Sequence, residues 1–235
     1  MKNNILISFI FLFFFTLFFT CKVNSEDLVI NANEIQSLNE GDKLVAKSGV
    51  EIIDSKGIVI KADEAEYNKS KSKIKVKYNV DIKDTINNNT LITNEAIYFV
   101  NENRIISKNN TVIKIENKYI IDTSNIIYDR NLKKIYSDDE TVIQDNYGNN
   151  FFSENFKVSI LNKILEAQVV KLIDNDLNEY NLEEVRLNLK TDEIIGKDLK
   201  IKFNKENFSQ NNDPRLKANA VIIDKENARF KKGVF

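Results

Sequence analysis

The chain has 235 residues, a net charge of −1, no histidine, no tryptophan, one cysteine and one proline. The balanced charge argues against a nucleic-acid surface and against strong electrostatic steering. The missing histidine removes the commonest general base, proton relay and metal ligand.

The first residues read as an address. Lys2 opens a short basic start, and Ile5 to Phe19 is almost wholly apolar, interrupted by Ser8 and Thr16. Val23-Asn24-Ser25 before Glu26 supplies small residues at a cleavage point, the layout of a secretory signal peptide over 1–25. The rival readings are a retained anchor, for which the run is somewhat short, and a lipid-modified Cys21. Phe19-Thr20 lacks the small residues that the second would need. If the leader is removed, no cysteine remains and no disulfide framework supports the mature chain.

From there one phrase keeps returning. IKADEAEYN at 60–68 recurs as ITNEAIYFV at 92–100 and IDTSNIIYD at 121–129. Fainter copies are INANEIQSL at 30–38, FSENFKVSI at 152–160, NLEEVRLNL at 181–189 and LKANAVIID at 216–224. The central apolar residues are Ile35, Ala65, Ala96, Ile126, Phe156, Val185 and Val221, spaced by 30, 31, 30, 30, 29 and 36 residues. Internal repetition at such a period signals a stacked architecture. Within a unit the period is two: Ile74, Val76, Tyr78, Val80 and Ile82 alternate with Lys73, Lys75, Lys77, Asp81 and Lys83. That is a strand with one buried face. The unit is therefore strand–turn–strand, and neighbours must stack to bury a continuous apolar strip.

Turn signals separate the strands in chain order: Asn39-Glu40-Gly41-Asp42, Asp54-Ser55-Lys56-Gly57, Asn87-Asn88-Asn89, Asn101-Glu102-Asn103, Lys108-Asn109-Asn110, Asp129-Arg130-Asn131, Ser137-Asp138-Asp139 and Thr191-Asp192-Glu193. Ser48-Gly49 reads as a bulge or tight bend. Residues 26–203 hold the repeats. After Phe203 the pattern lapses through a polar stretch to Asp213-Pro214, and 204–235 holds a last repeat and a junction.

The chemistry on offer is thin. Asp63, Glu64 and Glu66 belong to the wet face of a repeated strand rather than to a paired-carboxylate site. Asp138-Asp139-Glu140 lacks the spacing of a calcium loop. Lys71, Lys73, Lys75 and Lys77 make a basic stripe, which on an outer strand face also discourages unwanted pairing. No cofactor and no catalytic or metal residue is expected.

The phrase A-x-E-A-x-Y-[ND], followed by V-x-I-x-D, resembles the OstA-like repeats of lipopolysaccharide transport proteins. Ala62 to Asn68 with Val80-Asp81-Ile82-Lys83-Asp84 carries it best. The segment from Asn212 to Phe235 looks like the junction in the outer-membrane assembly members of that superfamily, where a cysteine-containing motif and a barrel follow. The resemblance implies an all-β, twisted, open β-jelly roll, a solenoid-like stack of two sheets built from about seven repeats of about 30 residues. It also implies a periplasmic, non-enzymatic module, associated with the outer membrane, whose interior shields acyl chains. The expected partners are lipopolysaccharide, other β-jelly-roll modules stacked on sheet edges, and an outer-membrane barrel or lipoprotein, with no nucleic acid. The expected groove lining is Ile35, Ala65, Tyr67, Val76, Ala96, Tyr98, Ile126, Tyr128, Phe156, Val158, Val185 and Leu187. A soluble bridge protein of the same superfamily and a ligand-free structural β-solenoid are the alternatives, and a polysaccharide-acting enzyme is the reading with the least support.

Overall fold

The computed structural model describes residues 28–116, 118–174, 176–207, 214–224 and 227–235. The leader, Cys21 and Asn212-Asp213 lie outside them. Among the described residues no helix is long and apolar enough to cross a membrane.

Strands β1 (Leu28–Asn31) and β2 (Glu34–Leu38) both pair with β3 (Lys43–Asp54). An antiparallel meander follows through β4 (Ile58–Asn68), β5 (Lys73–Asp84), β6 (Asn89–Phe99) and β7 (Arg104–Ile115). The next strands are short: β8 (Tyr119–Thr123), β9 (Ile127–Asp129), β10 (Lys134–Ser137), β11 (Thr141–Gln144), β12 (Asn150–Ser153) and β13 (Asn155–Ser159). Long strands resume with β14 (Ile164–Ile173), β15 (Glu179–Asn188), β16 (Ile194–Lys202) and β17 (Arg215–Ile223), and β18 (Ala228–Lys231) closes the order.

The expected open stack of two sheets is not what forms. The hydrogen-bond ladder closes on itself through eight strands, in the order β7, β8, β11, β12, β14, β13, β10, β9 and back to β7. The other ten strands attach outside this barrel, β1–β6 through β7 and β15–β18 through β14. The cause is local. Breaks at Ser124–Ile126, Asp138–Glu140 and Glu154 split three strands of the repeat into half-strands. Each half pairs with halves like itself, while unbroken β7 and β14 each pair with two of them and so join the two rows at both sides. A reading that took every unit as two continuous strands could not produce that closure.

Long strands also bend at mid-length. Ser48 and Gly49 in β3, Tyr78 and Asn79 in β5, Asn109 in β7, Val169 in β14 and Asp198 in β16 all take positive φ, which ordinary strand residues avoid. Lys108-Asn109-Asn110, expected as a turn, is therefore a bulge inside β7. Tyr78, expected inward, is 48% exposed because the bulge removes it from the alternation.

The repeats stack through their turns. Backbone amides of Lys69, Val100, Arg130, Ile160 and Leu189 donate to the carbonyls of Asp42, Ser72, Asn103, Lys133 and Lys163, one repeat earlier, at 2.8–3.2 Å. Ser72, Asn103, Lys133 and Lys163 reach this geometry at φ of 44–55°. Beneath them one apolar core runs from Ala46 to Val221.

Candidate functional site

The strands deliver the groove candidates to the interior unequally. Ala65, Val76, Ala96, Tyr98, Ile126, Tyr128, Phe156, Val158, Val185 and Leu187 are all buried in one core. Tyr67 packs against that core but is only partly buried. Ile35, on β2 at the end of the sheet, is 50% exposed. The interior is packed against itself. One small void in it, lined by Ile82, Leu91, Ile113, Tyr128 and Ile135, measures about 10 Å³, room for no more than about one water.

Two inward tyrosines are held by carboxylates that the alternation pattern did not single out. The Tyr98 hydroxyl donates to Asp54 and the Tyr128 hydroxyl to Asp84, each pair 44 residues apart. A buried phenol needs such an acceptor, and the equal separation makes it a clasp between neighbouring repeats. Asp84 also accepts from the backbone amides of Ile86 and Asn87, both at 3.0 Å, and from Asn87 Nδ2 at 2.7 Å. Arg130 Nε donates to Asp84 Oδ2 at 2.9 Å, with the two side chains 5% and 1% exposed. Arg130 reaches further, to Asn103 Oδ1 at 2.7 Å and to the Lys56 carbonyl at 2.6 Å. One guanidinium thus ties together turns from three repeats. The recurring V-x-[IV]-x-D and the tyrosine of the three clearest phrases were the available signals; the pairing across repeats was not readable from either.

Burial by itself would raise the Asp84 pKa, but hydrogen bonds from Arg130, Tyr128 and Asn87 outweigh it and hold the carboxyl below its ordinary value. Burial, and then the carboxylates they donate to, raise Tyr119, Tyr128 and Tyr180 well above ordinary phenols. Each shift moves its group away from neutral pH. General acid–base work requires the opposite, so these pairs act as locks.

A second polar feature crosses the core. Thr93, Thr111, Thr123, Thr141 and Ser153 are direct cross-strand partners on β6, β7, β8, β11 and β12. All five are buried. The Thr111 hydroxyl is within hydrogen-bond distance of Thr93 at 3.1 Å and of Ser107 at 2.8 Å, and the Thr141 hydroxyl of Thr123 at 2.9 Å. Ser107 Oγ also accepts from the Ile126 amide at 3.0 Å. The first repeats place Val50, Ala62, Val76 and Val80 near the bends of their strands, so the hydroxyl row begins on β6, beside the barrel, and continues over the barrel strands β7, β8, β11 and β12.

Larger crevices lie on the surface of the described residues, and two of them adjoin the core and the strand breaks. One of about 690 Å³ runs over Phe156, Ala167, Val185 and Gly196 under charged side chains including Lys157, Glu166, Arg186 and Lys197. The other, of about 610 Å³, lies where the half-strands break, over Thr123, Thr141 and Ser153. Elsewhere the outward charges pair in ordinary ways. Glu66 meets Lys43 at 3.0 Å, Lys75 meets Glu95 at 3.1 Å, and Lys73 lies 5.7 Å over the Phe99 ring. Asp63 accepts from Asn79 at 2.7 Å and Asp139 from Asn125 at 2.8 Å. Among the described residues no group of three or more acidic or cysteine side chains is placed to hold a metal ion.

No family model matches the chain, and no curated protein matches it. Among solved structures it is similar to LptH, described as the LptA-homologous periplasmic component of the lipopolysaccharide transport device of Pseudomonas aeruginosa. The identity is 10%, the match covers 61% of this chain and 82% of that one, and the TM-score is 0.27.

Proposed function

We propose that the chain is a non-catalytic module of the cell envelope that handles lipopolysaccharide, offering its aliphatic interior to acyl chains. The observation that carries this reading is the extent of that lining, one cluster of buried apolar residues that runs from Ala46 to Val221. The repeated phrase around Ala65, Ala96 and Ile126 supports it from the sequence side. The lining residues Val76, Ala96, Tyr98, Ile126 and Phe156 are buried against one another, so uptake requires the walls to part. The row of breaks at Ser124–Ile126, Asp138–Glu140 and Glu154 is where least ladder has to be undone. Further modules of the same kind would add strands at the sheet ends, where β2 and β18 are largely exposed.

A photoreactive residue at Tyr67 or Phe156 is expected to capture purified lipopolysaccharide, while one at outward Glu66 is not. Labelling from Glu66 alone, or none, sinks the reading. The closed packing favours one other reading, a dry structural scaffold, and that second result is what it requires.

A further inference from the structure

The hydroxyl ladder is matched by an inversion on the outside of the same strands. The residues next to each rung in sequence, Ile92, Val112, Asp122, Val142 and Phe152, are again cross-strand partners, and they point outward. Ile92 is 41% exposed, Val142 37% and Phe152 39%. A half-buried sheet ordinarily puts apolar residues inside and polar ones outside. Here, at one level of five strands, four of the five outward residues are apolar and all five inward ones are hydroxylic.

The 610 Å³ crevice opens at the β8–β11–β12 end of this band. Phe152 and Val142 supply an apolar platform. Asp122, Glu140 and Glu154 also line it, exposed and without an ion-pair partner among the described residues, while the cation Lys171 is engaged by Glu179 at 3.0 Å. Ser153 lines the crevice too, is 6% exposed, and its Oγ has no hydrogen-bond partner among the described residues. Buried polar atoms are rarely left so. That hydroxyl belongs to the inward row and is not offered to the crevice, which combines surplus acceptors and one flat ring.

That combination selects the ligand. Three unpaired carboxylates repel an anion, and they are not grouped to hold a metal ion. A bare acyl chain would bury those carboxylates without partners, which is costly. A neutral molecule with many hydroxyl donors and one apolar face satisfies both parts. We propose that this crevice binds a saccharide, with a sugar ring on Phe152 and its hydroxyls donating to Asp122, Glu140 and Glu154. The assignment is independent of what the interior takes.

The test is titration of the full chain with maltohexaose and, separately, chitohexaose, followed by backbone amide chemical shifts. With at least one probe, shifts are expected at 122–124, 140–142 and 152–154, at up to about 10 mM ligand, the weak end of specific binding. Phe152→Ala should weaken binding at least about tenfold, Phe152→Tyr should restore it, and Glu184→Gln in the other crevice should leave it unchanged. Phe152 is partly exposed, so its truncation leaves the fold testable by the same spectra. No shift with either probe, shifts confined to the other crevice, or affinity indifferent to Phe152→Ala would each overturn the proposal. So would a peptide or detergent occupying the crevice in place of both sugars.

Discussion

Replacing Arg130 by methionine removes the cation from the most deeply placed ion pair in the described structure. Asp84 would keep its bonds from Tyr128, Asn87 and Ile86 but lose the guanidinium at 2.9 Å, in a site where its side chain is 1% exposed. Breaking a buried pair from one side typically costs about 3–5 kcal/mol, because the remaining charge cannot be rehydrated. For a domain of this size that is a fall in Tm of about 6–20 °C. The acid limb gives a sharper check. In the wild type the folded Asp84 pKa is depressed. Its stabilisation is therefore full above the unfolded value of about 3.9 and is lost as pH falls below it towards the folded pKa. In Arg130→Met the carboxyl titrates higher, so protonation relieves the variant first and the stability gap narrows as pH drops. Urea denaturation between neutral and acid pH measures both quantities, with an unchanged m-value as the control. A loss under about 1 kcal/mol at neutral pH, or a gap that does not change with pH, would refute the assignment of this pair as a lock. The triple variant Asp84→Leu, Tyr128→Phe, Arg130→Met should recover at least half of the loss, since it leaves no buried charge.

Three further outcomes follow from particular positions. Val169 sits in the β14 bulge at φ 50° with its side chain 55% exposed; Val169→Asn should raise stability by about 1 kcal/mol in thermal melts, since asparagine tolerates that conformation far better. A Cβ on Gly196 would lie 2.0 Å from Leu182 Cδ2 and 3.0 Å from Val221 Cγ1, so Gly196→Ala should cost about 1–3 kcal/mol. A double-mutant cycle with Leu182→Val should show coupling that returns part of it, and additivity would contradict the clash. Ser107→Ala removes the acceptor for the Ile126 amide and a hydroxyl partner of Thr111; a loss of about 1–3 kcal/mol is expected, with faster amide exchange at Ile126 as the local readout.

Much was decided by the sequence alone. Alternation of apolar and charged residues made strands, because a pleated chain turns successive side chains to opposite faces. The step of about 30 residues placed Ile35, Ala65, Ala96, Ile126, Phe156, Val185 and Val221 on one strip, and all but Ile35, at the end of the sheet, are buried. Closure into a barrel was beyond that reading, since it depends on which half-strand pairs with which, a choice made across breaks that look like any polar turn in sequence. Tyr78 shows the same limit on a smaller scale: two residues at positive φ reverse its direction while the pattern stays intact. The Tyr98–Asp54 and Tyr128–Asp84 clasps, the reach of Arg130 and the hydroxyl ladder behind Phe152 all join residues from different repeats. Local periodicity states which way a side chain points; only the stacked, closed ladder determines what it meets there.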